Sequence, residues 1–421
     1  MLLPSILNYT TPFFTADIIV SMSRIVEING INYASTGNIA INIGQEAEKA
    51  GYETYLFFRN SKEGKKRKTD KQQLIGFWLD KVISERLAYI FGLNGYFNVI
   101  NTFWLTRKLD IIKPDLIHLH SLCDSFLNID MLFNYIIKND IPVIWTLHDN
   151  WPFTGRCAQN RCSKWQEGCG NCPHYDYYPG TLFLDNSKAV LQKRKKLYNR
   201  LKSLTIVTPS KWLGNLVTKS IFGTKYDIEV INNGIDLDIF KPVESDFREK
   251  YNLKDKIILL GVAYYWDESK GLDVFIELSK RLPENYQIVL VGTNDEVDKL
   301  LPDNIISIHR TSSREELVKI YSSADLFVNP TRDENYPTVN MESIACGIPV
   351  LTFDTGGCAE IISEKTGASV ETGDTDKMYE EIIRICENNV FKKEDCIEHS
   401  KSFNMEDKYK EYVSLYKKIL G

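Results

Sequence analysis

The 421-residue chain predicts an α/β fold of two doubly wound domains that face each other across a central cleft. Three observations carry this expectation. From Arg24 onward, short β-rich runs alternate with helical periods. The alternation restarts at KIILLGVA (256–263), after the polar, proline-containing segment FKPVESDFREKYNLKD (240–255). The strand runs are apolar throughout, as in parallel sheets covered by helices on both faces.

The first 21 residues, MLLPSILNYTTPFFTADIIVS, lack a basic n-region and carry Pro4 and Pro12, so they do not read as a secretory signal. They are expected to lie outside the core, as an upstream translation start or a disordered lead. A first domain then runs from 22 to 241. IVEING (25–30) is its first strand, and Ile39, Ile43 and Ala47 line one face of the helix that follows. The turn between them ends in Thr36-Gly37 at the helix start, where a glycine lets the backbone approach a ligand closely.

ETYLFF (53–58) is the next strand, and KEGKKRK (62–68) reads as a solvated loop. The segment 74–109 is dense in aromatics and flanked by that basic run. Two readings stand: core helices of the first domain, or a contact with a membrane interface. In DLIHLHS (115–121), His118 and His120 share one strand face, toward either the cleft or the core. PVIWTLHD (142–149) brings His148 and Asp149 to a strand end on the cleft side. His148 is a cleft residue or a buried histidine satisfied by backbone.

Directly downstream, the loop 150–180 holds Cys157, Cys162, Cys169 and Cys172, spaced C-x4-C-x6-C-x2-C. Four thiolates can complete a tetrahedral zinc site. The Gly- and Pro-rich surroundings speak against a thioredoxin-like redox motif, and a chain without a signal peptide speaks against disulfides. The expectation is a structural clasp, with zinc as its candidate metal.

LTIVTPS (204–210) and IEVINNGID (228–236) complete the first half, and 242–255 is the expected linker. The second domain, 256–405, carries the runs QIVLVG (287–292), IISIHR (305–310), DLFVNP (325–330) and PVLTFD (349–354). The last stretch, 406–421, is a helix expected to return to the first domain. A net charge of −5 argues against a nucleic-acid binder that works by neutralising phosphates. No apolar run reaches the roughly 20 residues that span a bilayer. The expected location is cytoplasmic, in contact with the inner membrane face if 74–109 is interfacial.

The most informative stretch is ADLFVNPTRDENYPTVNMESIACGIPVLTFDTGGCAEII (324–362). A strand ends at Asn329-Pro330, an acidic loop follows, and a helix opens at Pro337-Thr338. Glu334 sits in the loop, and Glu342 lies about one turn into the helix. The N–H groups around Asn335, Tyr336, Pro337, Thr338 and Val339, proline excepted, form an anion cradle with a carboxylate on each side.

This stretch resembles the donor-binding signature of the retaining family-4 glycosyltransferases, which have the GT-B fold of two facing Rossmann-like domains. VINNGIDLDIFKP (230–242), KGLDVF (270–275), VLVG (289–292), ACGIPVL (345–351), DTGGCAEII (354–362) and TGASVETGD (366–374) extend the resemblance over residues 24 to about 400. The cysteine-rich loop resembles an insertion found in the exopolysaccharide or colanic-acid-type subgroup.

The resemblance implies a UDP- or GDP-sugar donor, a glycan or lipid-linked glycan acceptor, and no metal or cofactor for catalysis. It assigns Glu342 to the nucleotide ribose, Glu334 to the donor sugar and Lys270 to the diphosphate, with His148 near the transferred sugar. Gly37 would belong to the N-terminal glycine loop.

Three departures stand out. YYWDESKG (264–271) lacks the arginine that many relatives carry before the lysine, which leaves Arg310 and Arg332 as candidates for the second cation. Asp333 can share or swap the role of Glu334. Asp236-Leu-Asp238 spells a DxD but sits in the NGID turn, and it reads as structural. The rival readings are a nucleotide-sugar epimerase or phosphorylase of the same fold, and a non-catalytic sugar-nucleotide-binding protein.

Overall fold

The computed structural model describes residues 22–123, 125–160 and 162–421. The expectation for residues 1–21 lies outside them. The first sheet comprises β1 (Arg24–Asn29), β2 (Glu53–Arg59), β3 (Gln72–Ile75), β4 (Leu116–Leu119), β5 (Val143–Thr146), β6 (Leu204–Thr208) and β7 (Asp227–Val230), in the order β3-β2-β1-β4-β5-β6-β7. The second comprises β8 (Ile257–Val262), β9 (Tyr286–Val291), β10 (Ile305–Ile308), β11 (Leu326–Asn329), β12 (Val350–Phe353) and β13 (Gly367–Val370), in the order β10-β9-β8-β11-β12-β13. The pairings of both named sheets are parallel, for example Ile25↔Thr54 and Ile25↔Leu116. This is the expected two-domain α/β architecture.

Each sheet buries both faces, which explains its unbroken apolar strands. Val26, Ile28, Ile117 and Trp145 pack on one side of the first sheet, and Ile25, Leu116, Ile144 and Val207 on the other. Ile258 and Leu260 of β8 point to one core of the second sheet, while Leu259 points to the other. In both sheets the strand order reverses beside the first strand of the half. Such switch points place ligands beyond the carboxyl ends of the strands.

The chain passes between the domains twice, and the two passages run side by side. Ile235 pairs in parallel with Asn404, donating its N–H to the Phe403 carbonyl at 2.8 Å and accepting from the Met405 N–H at 3.1 Å. The final helix, Met405–Leu420, then packs on the first domain through Tyr409, Tyr412, Val413 and Tyr416, against Ile25, Ile39, Ile43 and Val207.

The expected linker 242–255 needs correction. Phe247 and Leu253 are buried with Phe327 and Ile344 in the core of the second domain. The segment reads as polar because only these two anchors punctuate it. The crossing itself lies upstream, at NNGID.

Candidate functional site

The second-domain wall of the cleft is assembled from three loops at strand ends. The loop after β8 closes in a short 3-10 turn, Glu268–Lys270, capped by the Asp267 carboxylate accepting from the Lys270 N–H. This turn aims Lys270 Nζ at Glu334 Oε2, 2.7 Å away, and at the Asp333 carbonyl, 3.3 Å away. Burial works against the ammonium charge, but the Glu334 carboxylate beside it outweighs burial and raises the Lys270 pKa. The ion pair is part-buried, with side-chain exposures of 19% and 29%.

The loop after β12 supports the acidic loop from below. Gly356 has φ +60°, and a Cβ there would lie 1.9 Å from the Glu334 carbonyl. Only glycine lets this turn touch the back of the Glu334 loop. Gly357 donates its N–H to the Asn335 carbonyl at 2.8 Å.

The helix Thr338–Ala345 begins after Pro337 with no side chain capping its N-terminus, and Thr338 in its first turn lines a cavity between the domains. One turn in, the half-buried Glu342 accepts a hydrogen bond from the Tyr321 hydroxyl at 3.1 Å. Burial raises its pKa, against the hydrogen bonds from Tyr321 and Thr338 and the nearby Arg314 charge. Glu342 and Thr338 line an interdomain cavity of about 260 Å³, shared with Ala34, Ser35 and Asn38 of the first domain and with Arg314.

Other predicted positions take different parts. Tyr336 is buried in the second domain's core, where its ring packs and its carbonyl accepts from Asn233 Nδ2 at 3.4 Å. Asn335 bridges the domains: its Oδ1 accepts from Ser210 Oγ at 2.8 Å, and its Nδ2 donates to the His148 carbonyl at 3.3 Å. Asp333 accepts from the Asn160 N–H of the cysteine-rich loop at 3.2 Å. Glu360 accepts from the Lys211 and Trp212 N–H groups at 2.8 and 2.7 Å, a further bridge.

Arg332 is held bidentately by Asp273 at 2.8 and 2.7 Å. Arg310 lies over the Tyr264 ring, 5.3 Å from its centroid. Arg314 was missed from sequence, because nothing in its helix marks which face meets the cleft. Asp236 caps its own turn, accepting from Asp238 and Ile239 N–H groups, in keeping with a structural DxD.

On the first-domain side, a Cβ on Gly37 would lie 2.7 Å from the Asn32 carbonyl carbon. The glycine is thus demanded by its own turn, while Ala34 and Ser35 beside it face the cavity. His148 stands at the cleft end of a buried histidine row. Its Nε2 is 3.3 Å from His120 Nδ1, and the His118 and His120 ring centroids are 4.1 Å apart. His118 is a core residue, bonded to the Tyr416 hydroxyl at 2.6 Å and Thr146 Oγ1 at 2.8 Å.

Burial pushes His148 down to about 4 and His118 down to about 3, from an ordinary 6.5. Unfolding would let His148 take a proton near pH 6.5 that the folded site refuses. This contribution is complete above that pH and lost as pH falls toward 4. Wild-type stability relative to His148→Gln is therefore expected to fall between pH 6.5 and 4 in denaturant titrations. A gap that stays constant would contradict a lowered His148 pKa.

The comparisons with known proteins agree with this geometry. Residues 36–239 match the model described as Glycosyltransferase Family 4, and residues 243–403 match Glycosyl transferases group 1. The chain is 25% identical over 268 residues to the putative colanic acid biosynthesis glycosyl transferase WcaC of Escherichia coli, covering 61% of this chain and 64% of that protein. It is 32% identical over 140 residues to the N,N'-diacetylbacillosaminyl-diphospho-undecaprenol alpha-1,3-N-acetylgalactosaminyltransferase of Campylobacter jejuni, covering 31% of this chain and 37% of that one. These matches thus span less than two thirds of either relative.

Among solved structures, Anabaena Alr3699/HepE in complex with UDP superposes with a TM-score of 0.69 at 14% identity, covering 94% of this chain and all of that chain. That likeness shows the GT-B fold. With a family-4 first half and a group-1 second half joined at the double crossing, the chain belongs to the GT-B glycosyltransferases of family 4.

Proposed function

We propose that this chain transfers a sugar from a nucleoside diphosphate donor to a glycan or lipid-linked glycan acceptor in surface polysaccharide assembly, with retained anomeric configuration. One observation carries the reading: the Lys270–Glu334 pair lies beside an uncapped helix start, next to the cavity holding Glu342. A diphosphate at that helix start would meet N–H dipoles and one ammonium, and a ribose in the cavity would meet the Glu342 carboxylate.

In this scheme the C1–O bond to the diphosphate breaks as the acceptor oxygen bonds to C1 from the same face. The acceptor proton leaves on a phosphate oxygen. Lys270 and the helix start stabilise the departing charge, Glu334 faces the sugar, and His148 is kept as a neutral hydrogen-bonding group. The names of the Escherichia coli and Campylobacter jejuni relatives support the pathway and a lipid-linked acceptor, and the Anabaena complex supports a uridine nucleotide. Incubation with UDP- and GDP-sugars tests the reading. Acceptor-dependent release of the nucleoside diphosphate supports it. A sugar altered without acceptor supports an epimerase instead.

The aromatic segment points to where the acceptor is met. In the helix Trp78–Phe91 the buried positions are Ser84 and Ala88, while Trp78, Leu79 and Ile83 are more than half exposed. The next helix, Val99–Ile112, also exposes Val99, Ile100 and Trp104. Lys65, Lys66 and Lys68 stand exposed on the preceding segment, the pairing of apolar and basic groups an interfacial contact uses. Among the described residues no helix is long and apolar enough to cross a membrane.

We read the patch as seating the domain on an anionic bilayer. Trp78→Ser with Trp104→Ser is expected to weaken sedimentation with phosphatidylglycerol vesicles by tenfold or more, since one inserted large apolar side chain is worth about 1.5–3 kcal/mol. Unchanged sedimentation would contradict this contact.

A further inference from the structure

The cysteine-rich loop carries features that sugar transfer does not use. Cys157, Cys162, Cys169 and Cys172 all line one small cavity of about 20 Å³, with Arg156, Lys164 and Trp165 around it. A cavity of about 10–15 Å³ already holds a single water, so this one suits one small ion and no organic ligand. All four are free thiols.

The backbone around the cavity is unusual. Gly168, Cys169, Gly170 and Asn171 take φ values of 102°, 58°, 93° and 49° in succession. Left-handed geometry at Cys169 and Asn171 costs free energy unless something holds it. Part of the hold is visible. Asp185 accepts from the Cys172 N–H at 2.8 Å, Ser187 Oγ accepts from the Gly170 N–H at 3.0 Å, and Lys164 Nζ donates to the Asn171 carbonyl at 2.7 Å. This turn directs the CxxC pair toward Cys157 and Cys162.

The loop also reaches the cleft. Asn150, two residues past His148, donates its N–H to the Ala158 carbonyl at 2.9 Å and its Nδ2 to Asn160 Oδ1 at 2.9 Å. The Asn160 N–H donates in turn to Asp333, beside Glu334.

We propose that Cys157, Cys162, Cys169 and Cys172 are the four thiolate ligands of a structural zinc site that braces the segment 157–160 between Asn150 and Asp333. Four soft sulfurs and a cavity of single-ion size select a tetrahedral thiophilic cation over magnesium or calcium. Cys157, Cys162, Cys169 and Cys172 are not among the groups of described residues whose ligand atoms already lie within 4.8 Å of one another, so zinc binding requires the thiols to rotate onto the ion. Each releases its proton as it binds, so affinity rises with pH. Only the effect on Asp333 rests on the proposed donor site.

The test uses the full chain purified without chelator. The expected result is about one zinc per chain, consistent with four-cysteine structural sites. Stripped protein reloaded with Co2+ should show thiolate-to-cobalt charge transfer. Cys172→Ser should lose the metal, while Cys386→Ser, a cysteine outside the loop, should keep it. Metal-free protein that neither binds added Zn2+ nor gains melting temperature from it overturns the proposal. So do disulfides among these four cysteines.

Asn160→Pro separates the brace from the metal. It should retain zinc and lower turnover by about tenfold to a hundredfold, the worth of one hydrogen bond to a charged group. Retained zinc with unchanged turnover removes the brace and leaves the metal site. Zinc in a protein that turns over no sugar nucleotide would count against the donor-site reading alone.

Discussion

Lys270→Ala is expected to reduce kcat/KM for the sugar nucleotide by a hundredfold or more, with losses in both KM and kcat. The ammonium is part-buried and holds Glu334 at 2.7 Å. A donor diphosphate would bring negative charge to this lysine in the ground state and still more as the bond to C1 breaks. Removing one preorganised donor to developing charge typically costs about 10²–10³ in kcat. The variant also strands the Glu334 carboxylate without its cation. Lys270→Arg should recover only part of the loss, because a planar fork does not replace a point charge at the end of a tight turn. Steady-state kinetics within about threefold of wild type would remove Lys270 from the site.

The two glutamates should divide by kinetic parameter. Glu342 faces the cavity assigned to the ribose, whose hydroxyls do not change during transfer, so Glu342→Ala should chiefly raise the donor KM. Glu334 is assigned to the sugar, the reacting end, so Glu334→Ala should chiefly lower kcat, by about tenfold or more if a contact worth 1.4 kcal/mol is lost. Asp333→Ala separates the acids, because Asp333 points its carboxylate at the Asn160 amide while its carbonyl meets Lys270. Normal kcat in Glu334→Ala with a large loss in Asp333→Ala would exchange their roles. No effect from either would place the chemistry elsewhere.

Much of this arrangement was legible in the sequence because it is local. Buried strands such as IILLGV announce themselves by unbroken apolarity, and Lys270, Glu334 and Glu342 stand in short motifs whose spacing survives folding. The edge strands β3 and β13 were missed, since QQLI and GASV are short and bury only part of their residues. The linker was misplaced because two buried anchors in a polar segment leave no periodic pattern.

Interdomain contacts were beyond reach for another reason. Asn335 meets Ser210 and His148 across 125 and 187 positions, and no local pattern encodes such partners. The aromatic helices were ambiguous because apolar residues count equally toward a core or an exposed patch until packing decides.

The reaction proposed for the cleft is transfer of a sugar from a nucleoside diphosphate with retention. Proton NMR of the reaction with an α-linked donor measures this directly, through the coupling constant of the anomeric proton. An α-linked product is expected, formed together with one released nucleoside diphosphate, with both signals lost in Lys270→Ala. A β-linked product, or an altered sugar still attached to its nucleotide, would contradict it.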